Sequence, residues 1–309
     1  MALKSRIISA AAVAALSALA LAACSSGNPL DNSSSSSPKA GGPTVVGSAN
    51  FPESEIIAQI YTQALNDNGV KASITPNIGA REAYLKALQD GSIDLVPEYS
   101  GSLLQYYDAK TTAQSSADVY AALSDALPKG YEVLNQSSAQ DADSYNVTKE
   151  FSQKYNVTSL SDLKNVPVPI TVGANPELAD RPYGIPGLKS AYGVNATLDP
   201  INDGGGPLTV KALLDNTVQM ADIYTTSSAI KDNGLVTLKD PKHIIIAENV
   251  VPVIASAKVD DKVKSVLNKV SGALTTDDLV TLNEKAAGSS KESAQQIAQE
   301  WLSQKNLFQ

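Results

Sequence analysis

A twenty-residue stretch, Leu85 to Leu104 (LKALQDGSIDLVPEYSGSLL), returns without a gap 125 positions later as residues 210–229 (VKALLDNTVQMADIYTTSSA). Lys86, Ala87, Leu88, Asp90, Tyr99 and Ser102 recur as Lys211, Ala212, Leu213, Asp215, Tyr224 and Ser227, six identities in twenty. Each copy reads as the end of a helix, a turn, a short apolar strand, and a tyrosine where the strand stops. In open α/β sheets ligands bind beyond the carboxyl ends of the strands. Two copies of one such design predict a two-lobed binding protein with Tyr99 and Tyr224 facing a cleft.

The rest of the chain extends this plan. Thr44–Ser48 predicts a strand, and Asn50-Phe51-Pro52 opens a helix with Glu53 and Glu55 in its first turn. Ile56, Ile57, Ile60, Tyr61 and Leu65 line one face at helical spacing, and Asn68-Gly69 ends the helix. Val70–Thr75, Arg81–Gln89 and Ile93–Val96 then read as strand, helix and strand, an alternation that argues a largely parallel sheet. Helices are predicted at 117–126, 148–155 and 227–231, and strands at 131–134, 170–174, 243–247 and 250–255. Pro252 demotes the last strand to an edge or bulge. Ile170–Ala174 (ITVGA) echoes Val45–Ala49 (VVGSA). The polar run Gln136–Ser144 is the crossover out of the first lobe. The closing helices, 260–275, 276–287 and one capped by Ser289-x-x-Glu292 with Ile297 and Trp301 on its apolar side, should pack back onto that lobe. Lobe 1 is thus 44–138 plus 226–309, lobe 2 is 139–225, and the two crossings form a hinge.

The N-terminus reads as an address. Lys4 and Arg6 precede an apolar run from Ile7 to Ala23, typical of a secretory signal peptide over residues 1–23. Leu21-Ala22-Ala23-Cys24 looks like a bacterial lipobox, which predicts lipidation of Cys24. Residues 24–43, rich in Ser, Gly and Pro, then form a flexible tether. The globular body is expected outside the cell membrane, held to its outer face.

Composition narrows the chemistry. Of 24 Lys and Arg, two lie in the leader, which leaves 22 against 32 acids and a net charge of −10. With no basic patch, nucleic-acid binding is not expected. Cys24 is the sole cysteine and His243 the sole histidine, the latter in a strand-edge setting that suits a structural role. There is no nucleophile elbow, phosphate loop or His-x-x-x-His pair, so no enzyme, metal or cofactor is expected. Gly204-Gly205-Gly206 reads as a flexible turn. With 12 Tyr against 3 Phe and 1 Trp, the tyrosines carry the signal. The faces of Tyr99 and Tyr224 suit a cation held by cation–π attraction, with Ser102, Thr225 and Thr226 offering hydrogen bonds. Strand-end tyrosines that are merely half-buried are the alternative. A helix starting near Ser100 would aim free N–H groups at a ligand carboxylate. Arg181 is the best side-chain partner for such an anion, an ordinary salt bridge being its other reading.

At these residues the chain resembles the ProX/OpuBC–OpuCC family, and within it the OsmF/YehZ-like branch, of substrate-binding proteins of osmoprotectant ABC importers. The resemblance is carried by VVGSANFPESEI, DLVPEYSGSLL, EFSQKYNVTSLSDL and IYTTSSAI, and spans about Val45 to Ser303. It implies an α/β, two-lobe, type II periplasmic-binding-protein fold that closes on its ligand, and a cage of four tyrosines around glycine betaine, choline or carnitine. Tyr99 and Tyr224 match two cage positions, and Ser102 a ligand-contacting threonine. The third position falls near Asp143 and the fourth near Pro200–Asp203, where no aromatic stands; Tyr145 and Tyr183 are the candidate replacements. Asn50, Asp143, Arg181 and Tyr183 complete the expected site. The implied partners are a quaternary amine or other small polar solute, an ABC permease with its ATPase, and the membrane through the lipid; a monomer is expected. The alternatives are the same transport role with a different polar solute, a sensory or adhesive lipoprotein, and a secreted enzyme on the same fold.

Overall fold

A computed structural model describes residues 42–287 and 292–308. The leader, Cys24 and nearly all of the tether, together with Ser289, lie outside the described residues. Two five-stranded sheets form the frame, and they share one topology. In chain order the strands are β1 (Thr44–Gly47), β2 (Ala72–Thr75), β3 (Leu95–Tyr99), β4 (Tyr131–Val133), β5 (Tyr145–Val147), β6 (Ile170–Ala174), β7 (Ala196–Pro200), β8 (Met220–Asp222), β9 (Val236–Thr237) and β10 (Val250–Ala255). The first sheet runs β2-β1-β3-β10-β4 and the second β7-β6-β8-β5-β9. In each, three parallel strands are followed by a fourth, antiparallel strand that arrives from the other lobe, and by an edge strand antiparallel to that fourth one. The sequence repeat therefore marks β3 and β8, central strands of equivalent sheets.

Local chemistry sets the helices. Pro52 at the first position and Glu53 and Glu55 in the first turn start α1 (Pro52–Asp67), whose Ile56, Ile57, Ile60, Tyr61 and Leu65 are fully buried. Next come α2 (Arg81–Gln89) and α3 (Ser100–Tyr107). Three C-terminal helices, Asp261–Ala273, Thr276–Ala287 and Ala294–Lys305, share one core with α1, in which Val266, Leu267, Leu282, Ile297 and Trp301 are buried. The expected return of the C-terminal helices to the first lobe is observed. The last helix is capped by Ser293, whose hydroxyl accepts from Gln296 N while the Gln296 side chain accepts from Ser293 N, a capping box four residues beyond the expected Ser289.

The lobe boundary differs from the sequence reading. β9 pairs with β5, so residues 226–237 stay with the second sheet and the chain returns to the first only between β9 and β10. The two crossings lie antiparallel beside each other: Gln140 bridges Asn249, and Asp141 N–H donates to Glu248 O at 3.1 Å. Residues 243–247 are not a strand. They lie in this second crossing, where His243 takes a left-handed φ of 51° and Ile245 N–H donates to the Asp240 carboxylate at 2.9 Å. β10 is not an edge either. It lies between β3 and β4 with Pro252 opposite Pro97. Pro252 O accepts from Leu134 N at 2.9 Å, so its polar groups face the β4 side, and the proline pair occupies a site with no mutual ladder bond to lose.

Candidate functional site

Between the lobes lies a cavity of about 90 Å³, walled by residues that follow the carboxyl ends of β1, β3, β6 and β8. Tyr99 ends β3, and Tyr224 stands two residues past β8; both rings line the cavity. Phe51, the N-cap residue of α1, stands between them, its ring centroid 5.5 Å from Tyr224 and 6.0 Å from Tyr99 at tilted angles. Three rings from two lobes thus form one wall. The sequence reading overlooked Phe51, although the rule that singled out Tyr99, an aromatic just past a parallel strand, applies to it beyond β1.

The hinge side of the cavity is acidic and heavily hydrogen-bonded. Tyr99 Oη donates to Glu53 Oε1 at 2.5 Å, and Glu53 Oε2 accepts from Thr226 Oγ1 at 2.9 Å and from Asn283 Nδ2 at 2.5 Å. Asp141 Oδ1 accepts from Thr226 N at 3.0 Å and Thr225 Oγ1 at 3.1 Å. Burial pushes both carboxyls above their ordinary range, most strongly Asp141 beside the Glu53 charge. Thr225 does not line the cavity. Its hydroxyl braces the first crossing, accepting from Ala142 N at 3.0 Å, and Thr226 is likewise a brace. Thr226 ties this segment to α1 through Glu53 and to the C-terminal helices through Asn283, without a chain crossing.

The amino end of α3 is already capped by a carboxylate of the protein. Gly101 N–H donates to Glu248 Oε2 at 3.1 Å and Ser102 Oγ to Glu248 Oε1 at 2.7 Å. The expectation that these N–H groups are free for a ligand carboxylate is therefore corrected. Gly101 is needed for this approach, since a Cβ there would stand 2.7 Å from Ala247 O and 3.0 Å from the Glu248 carboxyl carbon. Burial pushes the Glu248 carboxyl up to about 8, against the lowering effect of the Ser102 bonds. Ser102 lines the cavity as expected, and its Oγ lies 3.5 Å from Tyr183 Oη across the cleft.

Both arginines of the described chain line the cavity, and both are paired. Arg81 forks onto Glu98 at 2.8 and 3.0 Å, and Tyr84 Oη donates to the same carboxylate at 2.7 Å. Arg181 forks onto Glu82 of α2 at 2.6 and 3.2 Å, an ion pair that joins the lobes and corresponds to the salt-bridge reading of that residue. Burial alone would raise the Glu82 carboxyl, but the Arg181 bonds leave it below its ordinary value. Asp143 and Asp222 also line the cavity and are hydrogen-bonded to each other. Burial pushes both up, and the Asp143 charge pushes Asp222 well above the usual carboxylate range.

Asn50 and Tyr183 reach the cavity wall, joined by Asn175, the asparagine after β6 that matches Asn50 after β1. Tyr145 does not. It is buried in the core of the second lobe, with Oη donating to Tyr183 O at 2.8 Å, so it positions Tyr183 rather than supplying a ring itself. The glycine run is not a loose turn: Asp203 accepts from Gly206 N, Leu208 N and Thr209 Oγ1, which fixes it against Tyr224.

Comparison with known proteins agrees with this architecture. Residues 42–304 match the family model described as the substrate-binding domain of ABC-type glycine betaine transport systems. The carnitine transport binding protein OpuCC of Listeria monocytogenes is 27% identical over 281 residues, which cover 85% of this chain and 87% of the relative. The glycine betaine-binding protein YehZ of Escherichia coli is 24% identical over 291 residues, covering 86% and 92%. The fold is that of a solved structure titled as a glycine betaine/carnitine/choline ABC transporter, with TM-score 0.67, 22% identity, and 86% of this chain and 100% of that one covered. The chain belongs to the family of substrate-binding domains of ABC-type glycine betaine transport systems, the extracytoplasmic components that bind a small solute and deliver it to a permease.

Proposed function

We infer that the interlobe cavity holds a small quaternary-ammonium solute, and that closure of the lobes over it is the state presented to the permease. One observation carries this reading: Phe51, Tyr99 and Tyr224, drawn from both lobes, put three rings on the wall of a small cavity that Asp141, Asp143 and Asp222 also line. Ring faces and carboxylates both stabilise a cation excluded from water. Carnitine and glycine betaine, for which relatives are named, share a trimethylammonium head, which supports the assignment. In this reading Ser102, Asn50 and Tyr183 offer polar contacts beside the head, and Arg181 contributes through its link to Glu82. The body works as a monomer, tethered by residues 24–43 from a lipid on Cys24 after removal of residues 1–23; no described helix is long and apolar enough to cross a membrane.

Isothermal titration of the protein with choline, glycine betaine and carnitine tests the solute class. Saturable one-to-one binding of at least one of them, weakened in Tyr224→Ala, is the expected result. Absence of binding by all three would remove the quaternary-ammonium reading and leave the transport family unchanged. The lipid is tested by radiolabelled palmitate incorporation in the producing cell, which Cys24→Ala should abolish.

A further inference from the structure

The cavity wall has a charge balance that distinguishes among quaternary amines. The cationic groups of the wall, and the helix end beside them, are already engaged within the protein. Arg81 is forked onto Glu98 and Arg181 onto Glu82, while the first N–H groups of α3 and the Ser102 hydroxyl are directed at Glu248. The opposite imbalance holds on the wall of the second lobe. Asp143 and Asp222 sit beside Tyr224 and hydrogen-bond each other, and Asp222 Oδ1 also accepts from Ser144 N at 3.2 Å. Among the described residues no Lys or Arg forms an ion pair with Asp143, Asp222 or the neighbouring Asp141.

We propose that Asp143 and Asp222 are the specificity-determining pair of this cleft, selecting a quaternary amino alcohol, a cation with a hydroxyl donor and no carboxylate, over a betaine zwitterion. This rests on the quaternary-ammonium reading of the cleft and narrows it. Two carboxyls side by side in a cleft resist ionising together, and the Arg81 and Arg181 charges that favour ionised Asp143 are themselves forked onto Glu98 and Glu82. An organic cation entering against the rings of Tyr224 and Phe51 supplies a counter-charge, and its hydroxyl donates to the oxygen lone pairs the pair leaves open. A betaine brings the same head with a carboxylate in place of the hydroxyl carbon. That carboxylate meets three aspartates and arginines already neutralised, and juxtaposed like charges in a buried site are strongly unfavourable.

Choline and glycine betaine differ only at this position, so their affinity ratio reads the proposal directly. Titration calorimetry on the whole protein at pH 7.5 should give choline at least ten-fold tighter binding than glycine betaine. In Asp143→Asn the ratio should fall at least ten-fold, because choline binding weakens far more than glycine betaine binding does. Glycine betaine binding as tightly as choline in the wild type, or a ratio unchanged in Asp143→Asn, overturns the proposal while leaving the quaternary-ammonium reading in place. No binding of either overturns the proposal, and no binding of carnitine as well overturns the quaternary-ammonium reading with it. Should the variant not fold, as judged by its unfolding transition, the wild-type ratio and the same substitution at Asp222 decide the matter.

Discussion

Replacing Tyr224 by alanine removes one ring from a wall of three while leaving the Asp143–Asp222 pair in place. A desolvated cation–π contact contributes up to about 2 kcal/mol, so the affinity for a quaternary amine should fall roughly 5- to 30-fold, as measured by titration calorimetry. Phe51→Ala should act in the same direction, and an unchanged affinity in both would separate the rings from the ligand. Glu248 sets a different expectation. Its carboxyl titrates near 8 in the folded protein against about 4.5 in an unfolded chain, so the folded state holds a proton that the unfolded state releases. Its contribution to stability is therefore greatest below pH 4.5 and is lost as pH rises towards 8, by about 1.4 kcal/mol per pH unit. Urea midpoints between pH 5 and 8 should decline more steeply in the wild type than in Glu248→Gln; parallel profiles would contradict this. Glu53, Asp141, Asp143 and Asp222 are shifted in the same direction, so some decline should remain in the variant. Tyr99, Tyr224 and Ser102 were legible because a repeat fixes their place at strand ends. Phe51 has no repeat partner, and the role of Thr225 depends on an Asp141 contact 84 positions away, which no local pattern records.

At the scale of elements, the repeat foretold equivalent sheets because β3 and β8 are central and apolar, flanked by helices of similar period. β5 and β9 escaped notice for a physical reason: with three and two residues they are too short to show alternation, and pairing rather than propensity defines them. That is why the lobe boundary moved past β9. The apolar run at 243–247 suggested a strand, yet its neighbours in space are Asp240 and Gln105, whose bonds hold it as an irregular crossing. Two consequences belong here. Trp301 is buried where the last helix meets α1, and Trp301→Ala should cost about 3–5 kcal/mol of unfolding free energy in urea titrations. The Arg181–Glu82 pair spans the lobes with Glu82 about half exposed, so its worth is about 0.2–1 kcal/mol. A double-mutant cycle with Glu82→Gln and Arg181→Gln should give a coupling of that size on solute affinity, shrinking in high salt. A coupling visible only in stability would mean that the pair does not act on closure.

For the whole molecule, the paired crossings at Gln140 and Asn249, with no other chain crossing among the described residues, allow the lobes to turn about one axis. A solute shifts such a motion only by binding the closed arrangement better than the open one, and a wall built from both lobes supplies that difference. Phe51 and Tyr99 belong to the first lobe and Tyr224 to the second, so the three rings converge only when the lobes meet. The most direct test of this account is thermal unfolding of the whole protein with and without a panel of quaternary amines. A solute at about 100 times its dissociation constant should add roughly 2.7 kcal/mol to stability. The account predicts a clear upward shift with at least one quaternary amine, reduced to roughly 1–2 kcal/mol in Tyr224→Ala by its 5- to 30-fold weaker binding. A wild-type transition unmoved by every member of the panel would contradict it.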